Sequence, residues 1–118
     1  MRKLIATIAG IAMCGAVMSA QAPAGDAAKG KAVYAEKKCG VCHKTSKDDA
    51  AGGKLSTVLA DMVGKMSAAD LKSWFTETAK MEAKLAKKPV MPMSGSMKTA
   101  KLTDADVANL VAYMQTLK

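Results

Sequence analysis

Cys39-Gly40-Val41-Cys42-His43 is the stretch that decides this sequence. Two thiols separated by two residues, with an imidazole directly after, form a C-x-x-C-H run, the pattern of covalent c-type haem attachment. The chemistry explains the spacing: each thiol adds to one vinyl group of the macrocycle, and the adjacent histidine is then held beneath the iron as an axial ligand. Other readings are weaker. A structural zinc site takes four ligands, usually Cys and His; beyond Cys39, Cys42 and His43 only Cys14 remains, and it lies in a segment expected to be removed, which leaves zinc short of a ligand. A thioredoxin-like dithiol sits beside a βαβ pattern, and no alternating β-branched stretch occurs. A plain disulfide accommodates both thiols but leaves His43 without a role.

Upstream, Arg2 and Lys3 precede an uncharged run from Leu4 to Val17, followed by the small residues Ser19, Ala20, Ala22 and Ala24. This is the form of a secretory signal peptide over residues 1–24, with cleavage near 20–24. The run is short for a membrane-spanning helix. An uncleaved anchor and a lipoprotein acylated at Cys14 are the minority readings, the second disfavoured by Met13 where a small residue is wanted. The expected location is the periplasm, with no stable membrane insertion after cleavage. What remains, residues 25–118, is one domain of a size at which an apolar core alone gives limited stability. Its aromatics are only Tyr34, Trp74, Phe75 and Tyr113. A large flat apolar cofactor supplies the missing core.

The net charge of +8 falls to +6 without Arg2 and Lys3. Two ionised haem propionates would lower it to about +4. A basic surface favours acidic partners and fast steering. Nucleic acid is not the expected partner, because the lysines are scattered and no basic run exceeds Lys37-Lys38 or Lys87-Lys88.

The patterning is all-α. A first helix runs from about Asp26, an N-cap type, through Ala35. Residues 47–53 read as a loop, and a short helix covers Leu55 to Val63, ending at Gly64. Ser67-x-x-Asp70 is a near capping box, with Met66 able to staple onto Leu71. It opens a helix with the stripe Leu71, Trp74, Phe75 and Thr78, running toward Lys87-Lys88 until Pro89 stops it. A loop from Pro89 to Lys101 follows. Thr103 then caps the last helix, which has Asp104 and Asp106 in its first turn, Leu102 to staple onto Val107, and Val107, Leu110, Val111, Met114 and Leu117 along one side.

Taken together, Gly30-x-x-x-Tyr34 before the C-x-x-C-H, a late Met91-Pro92 step and a final helix with Ala112-Tyr113-Met114 resemble class I cytochromes c over nearly all of residues 25–118. The resemblance implies a small cytochrome c fold: N- and C-terminal helices crossing, with helices and loops wrapped around one covalent haem. Gly30, Tyr34 and Tyr113 match the positions at which that family's terminal helices meet. It also implies a second axial ligand from a methionine thioether in the late loop. Met91 is favoured for its Met-Pro pairing, with Met93 and then Met97 as alternatives. Methionines 62, 66, 81 and 114 lie on expected helices, where methionine is more often a core filler. Trp74 is matched either to a propionate donor or to plain core packing. Family members often hold the ligand histidine's second ring nitrogen with a proline carbonyl shortly after the motif. None stands between His43 and Pro89 here, so the Ala51-Gly52-Gly53 loop is the expected substitute. Lys37, Lys38, Lys44, Lys87 and Lys88 include the expected rim of the exposed haem edge.

The function implied is a monomeric periplasmic single-electron carrier with His43/Met91 ligation, docking redox proteins through their acidic surfaces. The alternatives are a haem subunit of a larger oxidoreductase and an open-site haem enzyme or gas sensor. The last is opposed by the lack of any arginine after Arg2 and of any second histidine.

Overall fold

The computed structural model describes residues 24–50, 52–53 and 58–117. They form α1 (Ala27–Glu36), a 3₁₀ turn (Cys39–Val41), α2 (Leu59–Val63), α3 (Ala68–Thr76), α4 (Thr78–Ala83), α5 (Met93–Ala100) and α6 (Asp104–Gln115). No strand occurs among the described residues, only a single parallel bridge between Lys44 and Val58. The all-α expectation holds. The N-terminal segment read as a signal peptide lies almost wholly outside the described residues, as does Cys14. No described helix is long and apolar enough to cross a membrane.

The frame is the crossing of α1 on α6, the main helix contact of the fold. Two glycines permit it. A Cβ on Gly30 would lie 2.0 Å from the Asn109 carbonyl oxygen, and one on Gly25 would lie 1.8 Å from that of Ala108. The helices therefore approach backbone to backbone, a distance only glycine allows. Asp26 fastens the entrance to α1 twice: its side chain accepts from Lys29 N at 3.0 Å, and its own N–H donates to Asn109 Oδ1 at 2.8 Å. Beside the crossing, the rings of Tyr34 and Tyr113 meet edge-on with centroids 5.6 Å apart, a geometry favoured by the aromatic quadrupole. Val33, Tyr34, Leu59, Val63, Leu71, Leu110 and Met114 make the buried cluster.

Both capping boxes form. Thr103 Oγ1 accepts from Asp106 N at 3.1 Å while Asp106 returns a carboxylate to Thr103 N at 2.9 Å. Ser67 and Asp70 do the same at the start of α3. Met66 and Leu102, the two residues expected to act as staples, both pack on the core.

Three expectations are corrected. The helix predicted from Ser67 to Lys87 is two helices, broken at Glu77 (φ −128°, ψ 38°). Ser73, Thr76 and Thr78 each return a hydroxyl to the carbonyl four residues back, at 3.1, 3.0 and 2.7 Å. Such back-bonding competes with the helical ladder and bends it. The helix expected from Leu55 begins only at Leu59, because Val58 is extended and bridged to Lys44; residues 54–57 are outside the described set. The loop expected from Pro89 to Lys101 contains α5, with Pro92 at its N-cap and Lys101 closing it in the left-handed region (φ 48°).

Candidate functional site

The C-x-x-C-H run is wound into one tight turn directly after α1. Lys38 enters it with φ 56°, a left-handed conformation that costs a non-glycine residue about 1 kcal/mol. This reverses the chain and starts the 3₁₀ turn. The Cys39 carbonyl then accepts from both Cys42 N (3.2 Å) and His43 N (3.0 Å). The turn thus brings Cys39, Cys42 and His43 together, while Val41 points outward, 55 % exposed.

The rest of the fold braces this turn from behind. Tyr34 Oη donates to the His43 carbonyl at 2.9 Å, so the same side chain that stacks on Tyr113 also holds the backbone of the histidine. Past His43, the carbonyls of Lys44 and Thr45 accept from Leu59 N (2.8 Å) and Ala60 N (3.2 Å). They satisfy N–H groups at the start of α2 that a helix leaves open. Gly53 N donates to Gly40 O at 3.0 Å. Gly53 has φ 67°, and a Cβ there would come 2.8 Å from the Cys42 carbonyl, so the returning loop lies flat against the motif.

The chemistry of the donor set fits a covalently held haem. Cys39 and Cys42 are free thiols, both half-buried, so the plain disulfide is not what the structure contains. Burial pushes the Cys39 thiol up from its ordinary value and pushes the His43 imidazole down. His43 therefore presents a neutral ring, the form in which imidazole binds metal. Its Nδ1 is buried and lacks a hydrogen-bond partner among the described residues. Such an atom costs about 1–3 kcal/mol if nothing meets it, and residues 51 and 54–57 of the loop after the motif lie outside the described residues. Of the Ala51-Gly52-Gly53 loop expected to hold that nitrogen, Ala51 lies outside the described residues, and Gly53 meets the motif by donating to Gly40 O. No group of three or more His, Cys, Asp or Glu among the described residues is arranged for a metal ion.

The methionine candidates occupy a separate stretch. Met91 is 56 % exposed, just before α5. Met93 and Met97 are half-buried and lie one turn apart on α5 itself. One face of α5 shares a concavity with α3 and α4, lined by Phe75, Thr78, Ser94 and Met97. Its other side, with Ser96, Thr99 and Ala100, shares a second concavity with Glu36, Lys37 and Lys38, the residues that lead into Cys39. The helix after the Met-Pro step therefore stands next to the entrance of the motif. Trp74 is half-buried and does not join Leu71 and Phe75 on the core cluster, so core packing does not account for it. Lys38, Lys87 and Lys88 are exposed, and Lys37 and Lys44 are half-buried; Lys37 Nζ stands 3.4 Å from Glu36.

Sequence reasoning missed the most consequential contact on the methionine side. The Glu82 carboxylate on α4 accepts from Met93 N and, at 3.1 Å, from Ser94 N. No local signal marks it, since Glu82 precedes the capped amides by 11 and 12 residues.

Comparison with known proteins agrees with this geometry. The Cytochrome c family model matches residues 27–118. Cytochrome c-555 of Chlorobaculum tepidum (strain ATCC 49652 / DSM 12025 / NBRC 103806 / TLS) is 35 % identical over 107 residues, which cover 83 % of this chain and 82 % of the relative. Cytochrome c-555 of Chlorobaculum thiosulfatiphilum is 37 % identical over 98 residues, covering 75 % and 93 %. No solved structure matches with significance. The family match starts at the first residue of α1 and runs through the braced turn and the whole of α6, so the chain belongs to the cytochrome c family and carries electrons on covalently bound haem c.

Proposed function

We propose a monomeric periplasmic electron shuttle in which Cys39 and Cys42 hold the haem through thioether bonds and His43 and Met91 ligate its iron. The observation that carries the reading is the C-x-x-C-H turn itself: two free thiols and a neutral, half-buried imidazole, all on one braced segment. When bound, haem supplies a one-electron iron(III)/iron(II) couple. His43 keeps its place because Tyr34 grips its carbonyl. Met91 lies in the stretch between α4 and α5 and is the methionine of the Met-Pro step by which it resembles the family's ligand, and Met93 and Met97 stand behind it in order. A soft thioether opposite an imidazole raises the reduction potential relative to two histidines. Were His43 and Met91 both to hold the iron, oxygen and peroxide would find no open site on it, which suits an electron carrier rather than an enzyme.

The periplasmic address is supported by the signal-like composition of residues 1–24, and the basic surface supports docking with acidic redox proteins. Lys38, Lys87 and Lys88 are exposed and free of burial that would keep a partner away. Contacts of this class are small and short-lived. Trp74, half-buried and off the core cluster, is matched by the resemblance to a tryptophan that donates its indole N–H to a propionate.

The test is an absorption spectrum of the holoprotein, made in a host with c-type haem maturation, in wild type and in Met91→Ala, Met93→Ala and Met97→Ala. A weak long-wavelength charge-transfer band reports a ferric iron–thioether bond. Its presence, and its loss in Met91→Ala alone, is the expected result. A high-spin ferric haem that binds added ligands freely would overturn the carrier reading in favour of an open-site enzyme or sensor.

A further inference from the structure

We propose that Glu82 is a positioning residue for the axial methionine: by capping α5 from a neighbouring helix, it holds the methionine segment in place for ligation. The inference rests on the methionine-ligation reading above and goes one step beyond it.

The starting observation is how little else holds α5. Its sequence, Met-Ser-Gly-Ser-Met-Lys-Thr-Ala, has no buried residue. Glycine, serine and threonine are weak helix formers, and a helix of eight residues is marginal in water without tertiary support. Its N-cap is Pro92, whose side chain makes no capping bond. The first N–H groups of α5 consequently need an acceptor from elsewhere, and Glu82 supplies one carboxylate oxygen to both Met93 N and Ser94 N. The geometry is favourable on two grounds. The carboxylate is half-buried, so water competes less for it, and a negative charge at a helix N-terminus is stabilised by the helix dipole. Hydrogen bonds to an ionised acceptor are roughly twice as strong as neutral ones.

The bond also closes a loop. Residues 84–92 leave α4 and return to it at Glu82, and they include Leu85, Val90 and Met91, which are 41, 96 and 56 % exposed. Burial does not fix this stretch; its two ends do. Met91 stands two residues before the first capped amide, so its range is set by the Glu82 contact. α4 is in turn carried by α3, whose Leu71 is in the core. The chain of support from core to ligand therefore runs Leu71, α3, α4, Glu82, α5, Met91.

Loss of the cap raises the fraction of molecules in which the methionine is off the iron. The apparent affinity for a competing ligand scales with that fraction. The experiment is a titration of the ferric holoprotein with imidazole, alongside the charge-transfer band and the thermal unfolding midpoint, in wild type, Glu82→Ala, Glu82→Gln and Met91→Ala. Glu82→Ala is expected to bind imidazole about tenfold more tightly and to show a weakened band, the size a lost charge-assisted hydrogen bond implies. Glu82→Gln keeps an acceptor oxygen at the same reach and is expected to stay within about threefold of wild type. If Glu82→Ala does not fold, Glu82→Asp, one methylene too short, takes its place with the same expected direction.

A Glu82→Ala protein with a lower unfolding midpoint but wild-type band and imidazole affinity would reduce Glu82 to a purely structural cap and overturn the proposal. Loss of the band in Met91→Ala, seen in the same set, would keep the ligand assignment intact in that case. Retention of the band in Met91→Ala would overturn that assignment instead. Glu82 is then judged by the same imidazole ratio, because Met93 and Met97 lie on the helix it caps.

Discussion

The C-x-x-C-H turn and the methionine segment are built to different standards. On the histidine side, the motif turn follows a helix that crosses another at backbone distance, and Tyr34 ties the crossing to the His43 carbonyl in one side chain. On the methionine side, α5 has no fully buried residue, and a carboxylate reaching over from α4 caps its first amides. The difference teaches that the turn carrying the covalent attachment rests on packing, whereas the segment carrying the proposed methionine ligand rests on a few hydrogen bonds. Local opening follows the same division, since regions with little burial open at lower free-energy cost.

Glycine substitutions give the sharpest way to break this contrast. Gly30→Ala would drive a Cβ to 2.0 Å from the Asn109 carbonyl oxygen and is expected to cost roughly 3 kcal/mol, read as a fall in the chemical-denaturation midpoint. A variant as stable as wild type would mean that the helices do not need their close approach. Next in size is Tyr34→Phe, which keeps the ring contact with Tyr113 but removes the bond to His43 O; about 1 kcal/mol is expected from the same denaturation experiment. Comparing that loss with the Glu82→Ala effect on imidazole binding asks which side governs ligand exchange.

The opposite sign is expected on α5. A Cβ on Gly95 meets nothing within 4 Å, so Gly95→Ala should stabilise the helix by about 0.5–1 kcal/mol. Slower amide hydrogen exchange within 93–100 would show it; no change there would mean that α5 does not open independently of the rest. The smallest effect concerns pH. The Asp106 carboxyl is held below its ordinary value by the backbone hydrogen bond from Thr103. A group whose folded value is lowered stabilises above its unfolded value and loses that contribution as pH falls through the folded one. Stability should therefore decline on acidification less steeply in Asp106→Asn than in wild type, a difference visible in unfolding midpoints measured from neutral to acid pH.

What was legible in the sequence follows from the range of the interactions concerned. The C-x-x-C-H turn, the capping pairs Ser67/Asp70 and Thr103/Asp106, and the buried positions Val107, Leu110 and Met114 all involve residues within a turn or two of one another, so spacing alone reveals them. The meeting of Gly30 and Tyr34 with Tyr113 was readable only because those residues resemble a family pattern. The bend at Glu77 was hidden because serine and threonine hydroxyls can point to solvent or to the helix, and only the folded environment decides. Likewise α5 has too little helical character to be seen locally.

The sequence by itself determined the cofactor chemistry, the all-α class and the two strongest helix starts, because thiol spacing, capping and helical periodicity act over a few residues. Only the tertiary structure decided that Asn109 ties down Asp26, that Tyr34 holds His43, and that Glu82 turns the segment after Met91-Pro92 into a helix. Each of these joins polar groups on separate parts of the chain, and a backbone amide or carbonyl has no partner preference until folding brings one within reach.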